Sequence, residues 1–291
     1  MTLPVVIIHQ GYKEYLKVNL EITGINNVIY LIGDDDVEHL GQLNNVTFVN
    51  INKYSCLSVI SEARDSFVNY SSNPEKNEWR CFERVFILKY FMKEININRI
   101  FHIDSDNILL HDINTYPFDK EIAYCLSKNY NNAYRMSCSI HSALINQVFC
   151  EKYLGLFNDL YINKSKFYLI EDKVKFHSHA TEDKYINGGV CDMTLYYLLA
   201  SENIIDAENL LIPKNGVVFI NNINNGEGYE KKEQYRIKDE LLEITFDNYQ
   251  CTIYDEIKDE TLNLFNIHYQ GGSKKMMTEE LKEKHTRRLR V

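Results

Sequence analysis

The sequence has little proline, glycine and tryptophan, and its cysteines are scattered. Of 291 residues, 4 are proline, 12 are glycine and 1 is tryptophan, and none of the 7 cysteines forms a Cys-x-x-Cys pair. This spacing argues against a zinc ribbon or a thioredoxin-type redox site, because both need closely spaced cysteines. We expect free thiols in a reducing compartment and a cytoplasmic protein.

The sequence also lacks long apolar runs, repeats and linkers rich in proline or glycine. The stretch before Gln10 carries no basic segment, and its apolar run is too short for a signal or an anchor. We therefore expect no membrane span, and membrane contact that is peripheral at most. Without a linker, we predict one domain with two lobes, 1–120 and 121–277, followed by a charged tail at 278–291.

The charge balance is acidic. The composition is 45% hydrophobic and 25% charged, with a formal net charge of -9. Such a surface argues against nucleic acid as a partner. An anionic substrate would therefore need a metal ion, or a few well-placed lysines and arginines, to bind.

Short apolar runs alternate with helical patterns along the first half of the chain. Apolar runs predict strands at 4–9, 26–36, 45–51, 99–103 and 121–127. Apolar residues at helical spacing predict helices at 11–24, 55–70, 79–96 and 143–149. Strands and helices that alternate with short connections are typical of an α/β fold with a wound sheet.

Two carboxylates interrupt the apolar segment RIFHIDSDNILL at 99–110. Asp104 and Asp106 come directly after a predicted strand, and strands of an open α/β sheet present ligands at their carboxyl ends. Buried carboxylates need a partner, and hard divalent cations prefer oxygen ligands that they share with substrate phosphates. A metal site is one interpretation of this D-x-D, and a solvated turn is the other.

A second candidate is the sequence NIHYQGGSK at 266–274. His268 ends a short apolar run and precedes Gly271, Gly272 and Lys274. Glycines let backbone N–H groups approach a phosphate, and a lysine supplies a point charge. A metal-ligating histidine, a glycine turn and a lysine would form a diphosphate grip. The alternative is a structural histidine followed by a loop with an exposed lysine.

The order of these motifs resembles that of the GT-A-fold glycosyltransferases, particularly family 8 and its relatives. The motif at 268–274 is similar to that family's His-x-x-Gly-x-x-Lys, and the turn at 187–189 is similar to its Asn-Ala-Gly. The helix that carries Arg84 is similar to its arginine-bearing helix before the metal strand. The resemblance extends over roughly residues 4 to 277. It implies a Rossmann-like GT-A domain with a mixed, mainly parallel sheet flanked by helices.

The resemblance implies transfer of a sugar, with a hexosyl group expected, from a nucleotide-diphosphate donor to an acceptor hydroxyl. A UDP-sugar is the expected donor, and the acceptor would be a glycan, a lipid-linked carrier or a protein. Asp104, Asp106 and His268 would hold Mn²⁺ or Mg²⁺ against both phosphates. The donor would contact His9, Gly11, Tyr12, Asp34, Arg84, Asp104, Ser105, Asn187, Gly188, Gly189, Gly271, Gly272 and Lys274.

The acceptor side needs a carboxylate if the enzyme inverts, because a base must deprotonate the acceptor hydroxyl. Asp192 follows the glycine turn at a predicted helix start, a placement similar to that of the base in inverting GT-A enzymes. The alternative for Asp192 is a helix N-cap, and Glu182 and Asp183 compete for the catalytic role. Asp34 likewise would accept a hydrogen bond from uracil or ribose, or belong to a solvated run of acids.

Two other functions are compatible with the motifs. A haloacid dehalogenase-like phosphohydrolase also has a D-x-D after a strand, but on its first strand and followed by Thr or Val, whereas Asn107 follows here. A non-catalytic nucleotide-sugar-binding module should lack a metal ligand, and none is missing. The basic segment at 282–291 would contact an anionic acceptor or membrane surface, or be solvated.

Overall fold

The structure is a computed structural model that describes residues 2–127, 136–178, 188–226, 231–247, 250–278 and 281–282. Three candidate site residues, Glu182, Asp183 and Asn187, and most of the charged tail lie outside the described residues. Within those ranges, no helix combines the length and the apolar character needed to cross a bilayer.

The strands of the described residues fall into one large sheet and several small ones. In the first half they are β1 (Val5–His9), β2 (Ile29–Gly33), β3 (Val46–Asn50), β4 (Tyr70–Ser71), β5 (Arg99–Ile103), β6 (Asn107–Leu109), β7 (Ala123–Cys125) and β8 (Ser139–Asn146). In the second half they are β9 (Gly189–Val190), β10 (Glu208–Asn209), β11 (Val217–Val218), β12 (Ile237–Lys238), β13 (Leu241–Leu242), β14 (Thr245–Asp247), β15 (Gln250–Asp255), β16 (Glu260–Leu264) and β17 (Asn266–His268).

The helices lie mainly between the strands of the large sheet. They are α1 (Glu14–Thr23), α2 (Asn52–Ser55), α3 (Ser58–Asp65), α4 (Glu75–Glu94), α5 (Gln147–Phe157), α6 (Glu171–Ser178) and α7 (Asp192–Ser201). Short 3₁₀ segments add to these, of which Asp35–Gln42 and Gly271–Met276 border the candidate site.

The large sheet has seven strands in the order β10-β7-β8-β5-β1-β2-β3. Among the described strands of this sheet, β8 alone is antiparallel to both of its neighbours, β5 and β7, and the other pairs are parallel. The predicted α/β fold with a mixed, mainly parallel sheet flanked by helices is therefore confirmed. This sheet takes strands from both sides of position 120, and the division into lobes stays a prediction.

Helices cover both faces of the large sheet. On one face, Phe82 of α4 and Phe149 of α5 pack in the same cluster as Val6 of β1. On the other face, Leu16 of α1 packs in a cluster with Ile7 of β1. Strands that are buried on both faces read as continuous apolar runs, which is why the central strands were recognisable in the sequence.

A third apolar cluster joins the C-terminal part of the chain to α1. Val18 of α1 packs there with residues of β6, β15, β16 and β17, including Ile108, Ile253 and Ile267. The sheet β11-β16-β15-β14 and the pair β17–β6 contribute to this cluster. Because β17 pairs with β6, the motif that begins at His268 lies next to the turn that carries the D-x-D.

Two predicted helices differ from the structure. The run 143–149 was predicted as a helix, but its first part belongs to the buried strand β8, and α5 begins only after Asn146, whose side chain accepts a hydrogen bond from the Phe149 N–H at 2.9 Å. Periodicity cannot separate a buried strand from a buried helix over so few residues. The predicted helix at 55–70 is interrupted at Leu57, which has extended backbone angles between α2 and α3.

Candidate functional site

The D-x-D forms the turn between β5 and β6, at the carboxyl end of a central strand. The N–H of Asn107 donates to the carbonyl of Asp104 at 3.0 Å, which closes the turn, and the N–H of Asp104 donates to the carbonyl of His141 at 3.1 Å. The turn therefore lies at the edge of the sheet where α/β proteins present ligands. Its backbone is held by its own hydrogen bonds, and its carboxylates are left for other partners.

Asn19 of α1 holds this turn from the side of the helix. Its fully buried amide donates to the carbonyls of Ser105 at 2.9 Å and Asn107 at 3.0 Å, and the hydroxyl of Thr23 donates to its Oδ1 at 2.7 Å. Sequence analysis missed this residue. The available signal was a polar side chain on the apolar face of α1, since a buried amide must find hydrogen-bond partners.

The strand β17 brings His268 to the two carboxylates. In the antiparallel pair with β6, His268 lies opposite Asn107, and the N–H of Tyr269 donates to the carbonyl of Asp106 at 2.9 Å. His268 Nε2 lies 3.4 Å from Asp106 Oδ1. One ligand atom each from Asp104, Asp106 and His268 lie within 4.8 Å of one another. The three residues predicted as metal ligands are therefore together.

Two cationic side chains contact the same carboxylates. Arg84 of α4 places Nη1 2.5 Å from Asp104 Oδ1 and Nη2 2.6 Å from Asp192 Oδ2. Lys274 places Nζ 2.9 Å from Asp106 Oδ2. Ion pairs with this geometry are charge-assisted hydrogen bonds, stronger than neutral ones. The site thus carries three carboxylates and two cations in direct contact.

The protonation states follow from this arrangement. Burial alone would raise the pKa of Asp104, but the charge of Arg84 holds it well below its usual value. Burial likewise acts to raise the pKa of Asp106, and the hydrogen bond with His268 and the charge of His268 lower it. In return, the pKa of His268 is raised because Asp106 outweighs the effect of burial. The two carboxylates are therefore ionised and the imidazole holds a proton readily.

The donor set fits a hard divalent cation. Two ionised carboxylates supply oxygen ligands, and an imidazole is a usual third ligand for a metal of the Mn²⁺ type. His268 Nδ1 donates to the carbonyl of Asn221, which leaves the lone pair of Nε2, the atom that faces Asp106, for coordination once its proton is lost. The residues present could therefore hold Mn²⁺ or Mg²⁺.

The residues predicted to bind the base lie together at the ends of β1 and β2. His9 Nδ1 lies 2.9 Å from Ser105 Oγ, which links β1 to the D-x-D turn. Gly11, with a φ of 76°, donates its N–H to both carboxylate oxygens of Asp34 at 2.9 and 3.0 Å. Tyr12 is 40% exposed beside them. Asp34 is thus part of a backbone contact, and the ring of Tyr12 lies beside that of His39 with centroids 5.3 Å apart.

The glycine turn is held by close contact with β4. Gly188 and Gly189 have φ values of 131° and 130°, and a Cβ on Gly189 would lie 2.2 Å from the carbonyl oxygen of Tyr70. The N–H of Gly188 donates to Ser72 Oγ at 3.0 Å. Only glycine fits Gly189, because both the backbone angles and the approach of β4 exclude a side chain.

The glycine turn leads directly into α7, which positions Asp192. The N-cap of α7 is Cys191, and Asp192 is the first residue of the helix, so the N-cap interpretation of Asp192 is wrong. The carboxylate of Asp192 is 6% exposed and pairs with Arg84. A carboxylate at this position is favoured by the helix dipole, and here it also neutralises a buried guanidinium.

The C-terminal glycines lie on the surface beside the cluster. Gly271, with a φ of 65°, begins the 3₁₀ segment that carries Lys274, and a Cβ on Gly272 would meet nothing within 4 Å. Lys274 Nζ lies 5.3 Å from the centroid of the Tyr15 ring. The fold does not require glycine at Gly272, so this position leaves the backbone open to an incoming group.

Two buried histidines next to the carboxylates were also missed by sequence analysis. His102 Nδ1 lies 3.0 Å from the carbonyl of Val6, and its Nε2 lies 3.6 Å from Asp104 Oδ1. Burial lowers the pKa of His102. His141 of β8 lies against His268 on the other side of the turn. Both residues are polar positions inside apolar strands, which is the signal that would have found them.

Neither the models of known protein families nor the curated protein sequences match this chain. Among solved structures, the chain is similar to apo mouse xyloside xylosyltransferase 1 at 12% identity and a TM-score of 0.48, over 72% of this chain and 85% of the other. It is similar to the apo bifunctional glycosyltransferase WbbM at 11% identity and a TM-score of 0.47, over 99% of this chain and 50% of WbbM. It is also similar to the PaToxG glycosyltransferase at 14% identity and a TM-score of 0.41, over 69% of this chain and 70% of the other.

These structural likenesses are distant. The identities are at most 14% and the TM-scores at most 0.48 among these three proteins. A shared architecture does not by itself carry an activity over. The function therefore has to be argued from the side chains of the site.

Proposed function

We propose that this chain is a metal-dependent glycosyltransferase with a GT-A fold. It would transfer a sugar, with a hexosyl group expected, from a nucleotide-diphosphate donor to an acceptor hydroxyl, and a UDP-sugar is the donor we expect. One observation carries the proposal. Ligand atoms of Asp104, Asp106 and His268 lie within 4.8 Å of one another, and Arg84 and Lys274 contact the same carboxylates.

This combination suits the departure of a nucleoside diphosphate. Negative charge grows on the diphosphate as its bond to the sugar breaks, and preorganised positive groups stabilise that charge. A divalent cation bound by the three ligands supplies Lewis acidity for this leaving group. The side chain of Lys274 is 36% exposed. Its ammonium group can therefore leave the carboxylate of Asp106 and bind a phosphate oxygen of the donor instead.

The rest of the donor would lie along the ends of β1 and β2 and beside the glycine turn. His9, Gly11, Tyr12 and Asp34 form a continuous surface that touches the D-x-D through Ser105. We propose that this surface receives the base and the ribose. Tyr12, which is 40% exposed, is suited to stacking on a base, since aromatic rings pack against planar groups.

Arg84 links the donor side to the acceptor side of the proposed site. Its two nitrogens contact Asp104 and Asp192, so the guanidinium is held in one orientation by two carboxylates. In this arrangement Asp192 orients Arg84. The base role of Asp192 requires that its carboxylate exchange Arg84 for the acceptor hydroxyl, and it stays a prediction, as does the choice between inversion and retention.

A panel of nucleotide sugars tests the proposal. The protein is incubated with each donor and Mn²⁺, Mg²⁺ or a chelator, and release of free nucleoside diphosphate is measured. We expect cation-dependent release from at least one donor, most strongly from a UDP-sugar. The variant D106N should lose this activity, and D206N, which changes an 86% exposed aspartate, should keep it.

The outcomes separate the three candidate functions. Nucleotide-sugar binding without turnover for any donor and acceptor would indicate a binding module. Release of inorganic phosphate from phosphate monoesters would indicate a phosphohydrolase. If UDP binds equally well with Mn²⁺ and with chelator, the D-x-D has no part in donor binding and the proposed mechanism is wrong.

A further inference from the structure

The ring of His141 lies flat against the ring of His268. Their centroids are 4.3 Å apart and the ring planes are inclined by 16°. His141 is 1% exposed and His268 is 4% exposed, so neither ring reaches the solvent freely. His141 belongs to β8, which pairs with β5, whereas His268 belongs to β17. The stack therefore joins the large sheet to the C-terminal strand at the carboxylate cluster.

Two consecutive carbonyls accept hydrogen bonds from the two rings. His141 Nε2 lies 3.2 Å from the carbonyl oxygen of Ile220, and His268 Nδ1 contacts the carbonyl oxygen of Asn221. Because a carbonyl only accepts, each of these ring nitrogens carries a hydrogen. The remaining nitrogen of His141, Nδ1, lies 3.0 Å from the hydroxyl of Ser139. Both rings thus have a defined tautomer, and in His268 the nitrogen that faces Asp106 is Nε2.

The backbone of His141 contacts the D-x-D turn. Its carbonyl accepts hydrogen bonds from the N–H of Asp104 at 3.1 Å and from the side-chain amide of Asn107. One residue therefore touches the metal-binding turn through its backbone and the histidine ligand through its ring.

We propose that His141 is a positioning residue of the cation site, and that its ring keeps His268 in the plane and tautomer in which Nε2 faces the carboxylates. This inference rests on the proposed function for the identity of the cation, but the orientation of His268 is a property of the chain itself. Loss of a group that orients a metal-ligating histidine typically weakens metal binding by about 10- to 100-fold.

The physical reason lies in the direction of the other polar contacts of the ring. The contacts with Asn221 and Asp106 both lie at the edge of the His268 ring, so they leave the ring free to tilt about the line that joins them. A flat neighbour at stacking distance removes that freedom, because a close-packed interior leaves no room for tilting.

Two substitutions and one control test this role. H141A removes the ring, and H141F keeps a flat ring but loses the hydrogen bonds. H111A is the control, because the ring of His111 also lies near an aromatic ring, that of Phe265 with centroids 5.4 Å apart, just outside the strand pair β6–β17 and away from the cluster. Binding of Mn²⁺ alone is measured by calorimetry, and the ¹⁵N signals of the imidazoles are recorded in the cation-free protein.

We expect H141A to bind Mn²⁺ about 10- to 100-fold more weakly than the unchanged protein. H141F should keep most of the affinity, and H111A all of it. In ¹⁵N spectra of the cation-free protein, recorded at a pH where the His268 ring is neutral, His268 should be a single species with hydrogen on Nδ1 in the unchanged protein and in H141F, and a mixture of tautomers in H141A. Thermal unfolding confirms that each variant is folded.

The two readouts separate failure of the inference from failure of the proposed function. If H141A binds Mn²⁺ as tightly as the unchanged protein and leaves the ¹⁵N pattern of His268 unaltered, the positioning role is wrong although the cation site stands. If the unchanged protein binds no divalent cation, the proposed function fails, and the tautomer of His268 still decides whether His141 orients it. If H141A does not fold, H141F decides the question. A folded H141F in which the ¹⁵N pattern of His268 is lost would overturn the role of the ring.

Discussion

The candidate site has two halves that differ in how firmly their charges are held. The helix half consists of Arg84, Asp104 and Asp192, and the C-terminal half consists of Asp106, His268 and Lys274. Arg84 comes from the 20-residue helix α4, its side chain is 17% exposed, and it contacts two carboxylates.

Lys274 differs from Arg84 in each of these respects. It comes from the short segment Gly271–Met276, its side chain is 36% exposed, and the carboxylate it contacts is that of Asp106. A planar guanidinium between two carboxylates is held in one geometry, whereas an ammonium on a flexible stem changes partners easily. The comparison indicates that the helix half holds its charges firmly in the ligand-free chain, and we propose that the C-terminal half is where a ligand would exchange partners.

The largest expected effect is that of H268A on turnover. Loss of one of three ligands removes several kcal/mol of transition-state stabilisation, so the rate of sugar transfer should fall by about three orders of magnitude or more. The fold should persist, because His268 is one buried side chain at the end of a short strand. Activity with a nucleotide sugar and the circular dichroism spectrum are measured together, with H111A as the control. A folded H268A with near-normal activity would remove the C-terminal half from the mechanism.

The next effect concerns the stability of the helix half. R84Q leaves Asp104 and Asp192 without their common cation, and breaking a buried ion pair of this kind costs about 3–5 kcal/mol of unfolding free energy. Denaturant unfolding in the absence of divalent cation measures it, with R80Q, an exposed arginine of the same helix, as the control. If R84Q is as stable as R80Q, the helix half is not the prebuilt part of the site.

The D-x-D and the C-terminal half were predictable because their signals are local, whereas Arg84 was predicted only from the resemblance to a known family. An apolar strand that ends in two aspartates, and a histidine that precedes two glycines and a lysine, stand out within a few residues of sequence. The same holds for β1, β2 and β5, whose burial on both faces makes them continuous apolar runs. The strand β8 was not separable from a helix, because its apolar residues continue into α5 without a break in pattern.

The contacts between distant segments were not predictable from one sequence. Asp192 and Arg84 are 108 positions apart, and Asn19 and Asn107 are 88 positions apart, yet each pair is in hydrogen-bond contact. Such pairs depend on sheet order and strand register, which no local pattern encodes. The stack of His141 on His268 is of this kind. A buried polar residue in an apolar run indicates that a partner exists, but not which one.

A smaller effect is the pH dependence that the C-terminal half should show. Asp106 raises the pKa of His268 above its ordinary value of 6.5, so the cation-free protein holds a proton on the nitrogen that a cation would need. Mn²⁺ binding must release that proton, and its affinity should fall by up to about tenfold per pH unit below the raised pKa. Calorimetry across this range measures the slope, and H111A should show the same slope as the unchanged protein.

The same proton has the opposite effect on the cation-free fold. Because the folded pKa of His268 lies above the unfolded one, the stability from its pair with Asp106 is complete below pH 6.5 and is lost as pH rises through the folded pKa. Cation-free protein should therefore lose stability in the window where cation-bound protein gains it. A pH-independent Mn²⁺ affinity would mean that His268 is not a ligand.

The smallest effect is the one that K274M should have on stability. Lys274 is more than one third exposed, so its pair with Asp106 is screened by solvent, and its loss should change the unfolding free energy by about 1 kcal/mol or less. Its effect on UDP affinity with Mn²⁺ should be clearly larger, because the lysine gains a phosphate partner only when the nucleotide is bound. Denaturant unfolding and UDP calorimetry are compared for K274M and for K275M, whose neighbouring lysine is exposed. If K274M destabilises the fold as much as R84Q does, or leaves UDP affinity unchanged, Lys274 is a structural cation like Arg84, and the difference between the two halves of the site disappears.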